Sequence, residues 1–286
     1  SAAGLGLRRD STPREMNTAE SMGRATRRIN MAAVFPGAPA DKPGVPSNFC
    51  SMGEVALNWT WEQVSTHARR CRLPFCDVTV GLVVTPTAVV LIDTGTTLRE
   101  ARAVADDVRL LTGRDVGHLV LTHHHFDHIL GHSVFTAAQT YCAPAVIAAL
   151  DTGSAQVRAE ALSHGADAGE VDRALAASVP IGPAVTHAVL DLGDVTVRIS
   201  HPGRGHTDHD LIVLVSDIDR PVVFCGDLVE ESGEPCVDHD SDLQEWPTTL
   251  DRVLAAGGPS AAYVPGHGAV VDAEFVRRQA DWLARR

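Results

Sequence analysis

The arrangement of short apolar runs constrains the fold most strongly, because they form two groups separated by an alanine-rich stretch. The runs predict strands at 56–61, 78–84, 88–93 and 118–122 in the first group, and at 187–192, 195–200, 211–215, 222–226 and 261–265 in the second. The spacing of apolar residues predicts helices over 97–113, 154–178, 243–256 and 272–285. Two β-rich halves with helices outside them indicate a layered α/β sandwich.

The first 48 residues differ in composition from the rest, being rich in Arg, Ser, Ala, Gly and Pro without a sustained period. We therefore predict a flexible leader over 1–48 and one domain over 49–286. The apolar stretch at 31–40 is short and interrupted by proline, which disfavours a signal peptide. We predict a cytoplasmic location, with export through a twin-arginine-like signal at Arg27 and Arg28 as the alternative.

Charge and composition limit the partners of the chain. The net charge of −12 disfavours nucleic acid, and no apolar run approaches the 18 residues that a membrane span needs. Lys42 is the only lysine in the sequence, so an anionic substrate group would be held by arginine, backbone or metal. Among the cysteines, Cys71 and Cys76 are close enough in sequence to bridge, although spacing alone does not establish a disulfide.

The stretch THHHFDH, residues 122–128, places four histidines and an aspartate directly after a predicted buried strand. Loops at strand ends carry much of the chemistry of α/β proteins. Alternate residues of an extended loop point the same way, so His123 and His125 can face one point while Asp127 and His128 face a neighbouring one. His124 is expected to point away from both.

Three further segments end a predicted strand with a polar residue beside glycine: GRGHTD with His206, FCGD with Asp227 and VPGHG with His267. Together with the loop at 122–128 they predict two metal-binding sets bridged by one aspartate. The first set is His123, His125 and His206, the second is Asp127, His128 and His267, and the bridging residue is Asp227. Imidazole and carboxylate ligands suit Zn²⁺ and, nearly as well, Fe or Mn.

The motif HxHxDH at 123–128, followed in order by GHT, GD and PGHG, resembles the metallo-β-lactamase superfamily. The motif LIDTG at 91–95 is similar to another recurrent motif of that family, in which Asp93 lies just outside the metals. The resemblance covers roughly residues 55–270. It implies a four-layer αβ/βα sandwich with the metal site at one edge of the two sheets.

The resemblance also implies a binuclear zinc hydrolase, with two Zn²⁺ per chain and a metal-bridging hydroxide as the nucleophile. In that reading Asp127 accepts or delivers a proton and Asp93 orients a ligand histidine. Two alternatives stay open. One is an oxidoreductase similar to the mononuclear iron persulfide dioxygenases of the family, and the other is a member that binds metal without catalysis.

The substrate is less constrained than the metal site. The best-known zinc β-lactamases have Cys or Ser where this chain has Asp227, and their lysine anchor has no counterpart here, although Arg204 could replace it. The RNA-processing relatives use basic surfaces, which this acidic chain lacks. The predicted substrate is therefore a small-molecule ester, lactone, thioester or lactam, with 140–185 as lid and specificity element.

The remaining histidines near these motifs carry weaker expectations. His132 lies four residues after His128 and is expected to be a solvated helical residue. His201 and His209 flank the third motif, and surface positions are expected for both, with contact to the ligands or the substrate as the alternative.

Overall fold

The structure is a computed structural model that describes residues 56–286, and it contains two β-sheets. The strands of the first sheet lie in chain order and are β1 (Glu62–Gln63), β2 (Ala68–Arg72), β3 (Thr79–Val84), β4 (Val89–Ile92), β5 (His118–Val120) and β6 (Gln139–Tyr141). The strands of the second sheet are β7 (His187–Asp191), β8 (Thr196–Ser200), β9 (Ile212–Ser216), β10 (Val222–Glu230) and β11 (Ala262–His267). Their spatial order is β11, β10, β9, β8, β7.

The helices lie along the chain in two groups that match the two sheets. They are α1 (Leu98–Thr112), α2 (Phe126–Ile129), α3 (Pro144–Asp151), α4 (Ser154–Ser163), α5 (Ala168–Ala176), α6 (Trp246–Gly257) and α7 (Ala273–Leu283), with a short 3-10 helix at His132–Phe135. Within residues 56–286, no helix has the length and apolar character needed to cross a membrane.

Successive side chains of a strand point to opposite faces of its sheet, and this alternation places apolar residues on both faces of each sheet. On β3, Leu82 packs in a core shared with α1 and α3 to α5, whereas Val83 faces the second sheet. On β10, Phe224 faces the first sheet and Val223 faces α6 and α7. Three apolar cores therefore separate a helix layer, two sheets and a second helix layer, which confirms the predicted four-layer sandwich.

Helix α1 shows how closely local sequence signals set an element. Thr97 caps its N-terminus and forms a reciprocal capping box with Glu100. Gly113 ends the helix with φ at 69°, and its N–H donates to the Arg109 carbonyl. The predicted helix at 97–113 is confirmed. The stretch at 154–178, predicted as helical, forms α4 and α5, which are separated by a turn at Gly165 with φ at 88°.

The strand predicted at 56–61 is wrong. In this segment the backbone N–H groups of Asn58 and Trp59 donate to the carboxylate of Asp107 at 2.7 and 2.9 Å, and the Trp61 indole donates to it at 3.0 Å. A side chain of α1 thus takes the place of a neighbouring strand, and pairing begins only at β1. The β-type composition of the segment reflects tryptophan packing against the first core.

The cysteines at 71 and 76 are not bridged. Both have free thiols, as do Cys142, Cys225 and Cys236 in the described part of the chain. Cys225 is buried within β10, as predicted for a strand residue.

Parallel pairing brings the ends of the strands that carry the motifs to one edge of the molecule. β4, β5 and β6 run parallel to one another, and β10 runs parallel to β11. β3 is antiparallel to β4, and β9 is antiparallel to β10. The backbone N–H of Leu211, which precedes β9, donates to the Thr122 carbonyl at 2.8 Å and joins the two sheets there. The predicted leader, 1–48, and residues 49–55 lie outside the described residues, so the domain boundary stays a prediction.

Candidate metal centre

The loop after β5 contributes four of the predicted ligands. His123 follows the strand, His125 precedes α2, and Asp127 and His128 lie within that helix. Phe126 is buried in the first core and anchors the start of the helix. His123 and His128 are fully buried and Asp127 is 6% exposed, so the loop turns its polar side chains inward.

The side chains of the first predicted set lie close together. His206 Nε2 lies 2.9 Å from His125 Nδ1, and the His123 and His206 rings meet edge to face with centroids 5.0 Å apart. Asp227 Oδ2 lies 3.5 Å from His206 Nε2 and 3.7 Å from His123 Nε2. Each of the four residues offers one atom, and these atoms all lie within 4.8 Å of one another, close enough to hold one metal ion.

The second predicted set forms an adjacent group. Asp127 Oδ2 lies 3.5 Å from His267 Nε2 and 3.8 Å from His128 Nε2. Asp227 reaches this group as well, with Oδ1 at 3.2 Å from His128 Nε2 and Oδ2 at 3.2 Å from His267 Nε2. Asp227 therefore lies between the two groups, as the sequence predicts for a bridging ligand.

Three buried atoms at the centre have no hydrogen-bond partner, namely His123 Nε2, His128 Nε2 and Asp227 Oδ1. His128 Nε2 and Asp227 Oδ1 lie 3.2 Å apart but without hydrogen-bond geometry, and burying polar atoms without a hydrogen bond is unfavourable. Nitrogen and carboxylate donors of this kind match the ligand preferences of Zn²⁺, and also those of Fe and Mn. The residues present thus fit a metal centre.

A layer of hydrogen bonds fixes the imidazoles. Asp93 accepts from the Thr122 backbone N–H at 2.8 Å and from its hydroxyl at 2.9 Å, and its Oδ2 lies 2.9 Å from His128 Nδ1. Asp93 has φ at 61°, a conformation that non-glycine residues seldom adopt and that is typical of functional sites. The carbonyl of Cys236 accepts from His206 Nδ1 at 3.1 Å. Such partners direct the other ring nitrogen at the metal site.

On the opposite side, His267 Nδ1 donates to the Cys76 carbonyl at 2.7 Å. Cys76 precedes β3, so this bond attaches His267, a predicted ligand in the second sheet, to the first sheet. A bridge between Val78 and His267 lies beside it.

Burial and charge act differently on the individual histidines of the centre. Burial lowers the pKa of His125, but Asp240, Asp227 and Asp127 outweigh it and raise that pKa. Burial lowers the pKa of His206 to about 4 and that of His123 well below its usual value, so both rings are neutral at pH 7. Burial also lowers the pKa of His267, but Asp227 and Asp127 outweigh it and raise the pKa to about 10. Without metal the second group therefore favours protonated imidazole beside carboxylate. A bound cation would replace those protons.

Gly266 leaves room for the Asp227 carboxylate. A Cβ atom at this position would lie 3.0 Å from Asp227 Cγ and would overlap Asp227 Oδ1. Gly226, directly before Asp227, has φ at 52° and lies against Thr122. Both glycines serve the close approach of β10, β11 and the loop after β5.

Several polar residues near the centre were assigned weakly or not at all from the sequence. Asp240 lies 3.7 Å from His125 Nε2 and 3.6 Å from His124 Nε2, and the repeated acidic pattern DHDSD at 238–242 is its only sequence signal. His209 is half-buried and its Nε2 lies 3.1 Å from His124 Nδ1, so a surface position was wrong for it. The carbonyls of Cys76 and Cys236 have no side-chain signature that a sequence could reveal.

His132 and His201 are both less exposed than the sequence predicts. His132 is 2% exposed rather than solvated, because its Nδ1 donates to the Ile129 carbonyl and its Nε2 lies 3.2 Å from Ser178 Oγ. His201, also expected at the surface, is half-buried, and its Nδ1 donates to the Asp210 carbonyl at 2.8 Å. The side chain of Arg204 is 57% exposed and pairs with Asp242 at 3.1 Å.

Comparison with known proteins agrees with this geometry. The sequence profile of the metallo-beta-lactamase superfamily matches residues 73–267. The chain is 28% identical to a type 2 metallo-beta-lactamase of Bacillus cereus over 106 residues, which is 36% of this chain and only 41% of that protein. It is 24% identical to a type 2 metallo-beta-lactamase of Bacillus sp. (strain 170) over 206 residues, 71% of this chain and 72% of that protein.

Solved structures share the fold at low sequence identity. The DIM-1 metallo-beta-lactamase, in a crystal exposed to ceftazidime, superposes with a TM-score of 0.61 and 17% identity, covering 79% of this chain and 96% of that one. A metallo-beta-lactamase from Pontibacter korlensis gives 0.59 and 18% identity, covering 80% and 100%. Since the profile spans more than half of the sequence and every motif reaches the same edge of the sandwich, the chain belongs to the metallo-β-lactamase superfamily.

Proposed function

We propose that this protein is a binuclear zinc hydrolase that acts on a small-molecule ester, lactone, thioester or lactam. The observation that carries the proposal is the position of Asp227, whose carboxylate lies within 3.2–3.7 Å of ligand atoms from both groups. Two Zn²⁺ ions held there would supply a nucleophile near neutral pH and polarise the substrate's carbonyl oxygen.

The first ion would be held by His123, His125 and His206, and the second by Asp127, His128 and His267. In this scheme Asp227 sets the spacing between the two groups. Asp93 holds His128 through Nδ1, so that Nε2 is the ring nitrogen that faces the centre and would bind an ion once its proton is displaced. Rigid support of this kind matters because catalysis depends on the positions of the reacting atoms to within a fraction of an ångström.

Asp127 is proposed to move a proton at its carboxylate oxygen as the leaving group departs. It lies at the start of α2, is 6% exposed and reaches the centre beside His267. A carboxylate in this position can accept a proton from the nucleophile and deliver it to the leaving oxygen, nitrogen or sulfur.

The two arginines beside the centre already form ion pairs, which limits them as anchors for an anionic substrate group. Arg204, two residues before a proposed ligand, already pairs with Asp242, and Arg72 pairs with Asp77 beside Cys76. A substrate carboxylate would therefore compete with existing ion pairs for its anchor. The proposed zinc ions would remain as the alternative anchor for an anionic group.

The segment 140–185, proposed as lid and specificity element, is largely helical. Val157 of α4 and Val171 of α5 are buried in the first core, so these helices form a packed wall rather than a mobile loop. His164, at the end of α4, lies over Phe126 with ring centroids 5.3 Å apart. We propose that this wall bounds the substrate side of the centre.

The mononuclear iron alternative uses a single metal group. The complete second group, with Asp127, His128 and His267 in reach of one ion, supports the binuclear proposal instead.

The test compares metal content and hydrolysis in Asp227→Ala, His206→Ala and the control His187→Ala, whose histidine is exposed on β7. The substrate panel contains a lactone, a thioester, a phosphodiester and a β-lactam. We expect wild type and His187→Ala to hold two zinc ions and hydrolyse at least one carbonyl substrate. The other two variants should lose zinc and activity together. One iron per chain with oxygen consumption, or full activity in both centre variants, would refute the proposal.

A further inference from the structure

A second cluster of histidine and aspartate lies beside the centre but outside both of its groups. We call it the outer cluster and define it as Asp208, His209, His124 and Asp240. Its members come from three loops, which follow β8, β5 and β10. His124 and Asp240 have side chains that are 20% and 19% exposed, so the cluster lies just below the surface.

The hydrogen bonds of His209 and His124 indicate which ring nitrogen of each carries the hydrogen. Asp208 Oδ1 accepts from His209 Nδ1 at 2.8 Å, which places the hydrogen of a neutral His209 on Nδ1. His209 Nε2 is then an acceptor, and its partner at 3.1 Å is His124 Nδ1, which must donate. The hydrogen of a neutral His124 therefore lies on Nδ1, and its Nε2 carries a lone pair.

That lone pair faces a carboxylate. His124 Nε2 lies 3.6 Å from Asp240 Oδ2, and both carboxylate oxygens of Asp240 are buried without a hydrogen-bond partner. Two acceptors facing each other repel, and an unpaired buried carboxylate is costly. A cation between them would remove both penalties.

The distances fit a shared cation better than a hydrogen bond. A separation of 3.6 Å exceeds the hydrogen-bond range, whereas two ligands on a tetrahedral zinc lie about 3.3–3.4 Å apart, given bonds of about 2.0–2.1 Å. Carboxylate oxygens and imidazole nitrogens of the main centre show separations of 3.2–3.8 Å. His125 Nε2 lies 3.7 Å from Asp240 Oδ2 and can support the same carboxylate.

We propose that His124 Nε2 and Asp240 form a third metal site, which binds a divalent transition-metal ion such as Zn²⁺ with water as the remaining ligands. With two protein ligands the outer site is weaker than the main centre. It fills only when free zinc exceeds what the main centre needs. The proposal does not depend on whether the chain hydrolyses any substrate.

The experiment is a zinc titration of the full chain at buffered free Zn²⁺, with zinc per chain measured by inductively coupled plasma mass spectrometry. Wild type should bind a third equivalent at higher zinc. His124→Ala and Asp240→Asn should weaken that last equivalent by more than about tenfold. The matched control His187→Ala, which removes an exposed histidine far along the chain, should bind like wild type.

Zinc binding at the outer site is measured as the difference in zinc per chain between wild type and His124→Ala at equal free zinc. The outer-site proposal can therefore be refuted while the main centre still binds zinc, and the main-centre proposal can be refuted while the outer site still binds zinc. Circular dichroism checks that the variants fold. Anomalous scattering at the zinc edge from zinc-saturated crystals gives a direct second measurement, in which a peak between His124 and Asp240 is expected. Equal zinc uptake by wild type and His124→Ala, or crystals without that peak, would overturn the proposal.

Discussion

Replacing Gly266 by alanine is expected to displace the Asp227 carboxylate, which lies between the two groups of proposed ligands. An added Cβ would overlap Asp227 Oδ1 and lie 3.0 Å from both Asp227 Cγ and the carbonyl carbon of Gly226. Since the backbone of Gly226 blocks retreat on one side, Asp227 must move by roughly 1 Å to restore van der Waals distance. The strain should lower the free energy of unfolding by about 1–3 kcal/mol.

The functional loss should exceed the loss of stability. Asp227 has contacts below 4 Å with four histidines of the centre, so its displacement disturbs both groups at once. A misplacement of roughly 1 Å costs about a hundredfold in rate. Zinc content should fall from the proposed two ions per chain towards one or none.

Zinc per chain, hydrolysis of the best substrate in the panel and urea unfolding measure the three effects separately. Gly117→Ala is the matched control, because a Cβ there meets only the Val89 carbonyl oxygen at 3.7 Å. We expect this control to retain zinc and activity. If Gly266→Ala keeps the zinc content and rate of wild type, the assignment of Asp227 as the bridging residue is wrong.

Three further outcomes are expected. Asp93→Asn should weaken zinc binding by about 10- to 100-fold in a chelator competition, because His128 loses the carboxylate at its Nδ1, and unchanged affinity would contradict that role. Burial raises the pKa of Asp210 from 3.8 to about 8, so this residue favours the fold at low pH, and its contribution is lost as pH rises through that range. Asp210→Asn should therefore lose less stability than wild type between pH 5 and pH 9 in urea unfolding, and parallel curves would refute this. Gly81→Ala should cost about 1–3 kcal/mol, since its Cβ would lie 2.5 Å from Phe224, and Phe224→Leu should recover part of that loss if the two sheets pack as described.

The residues of the centre could be predicted from sequence because their chemistry is local and repeated. Each proposed ligand follows an apolar run and stands beside glycine or another ligand, and parallel pairing then brings those strand ends together. Alternation in an extended loop agrees with the convergence of His123 and His125, but Asp127 and His128 lie within α2, so a helical turn and not alternation brings them to the second group. Their roles as metal ligands stay a prediction until metal is measured.

Other parts were missed because their signals are carried by distant residues. β2 has the sequence ARRCR, which does not look like a buried strand, yet Arg70 is 3% exposed. Its guanidinium pairs with Glu62 and donates to the Gly268 carbonyl at 2.5 Å. The segment 56–61 shows the opposite error, because its composition predicts a strand that does not form. Its backbone N–H groups donate to the Asp107 side chain instead of to a neighbouring strand. Neither partner can be read from the local sequence.

The contact between the two sheets at the centre also has a consequence for how the chain is held together. The proposed ligands up to His128 belong to the first half, and His206, Asp227 and His267 belong to the second. Neither half holds a complete group for its metal, and the connection at 177–186 is mostly exposed. Bound zinc would thus link the two halves of the chain. A chain cut within that connection should reassemble from its fragments more tightly when zinc is present.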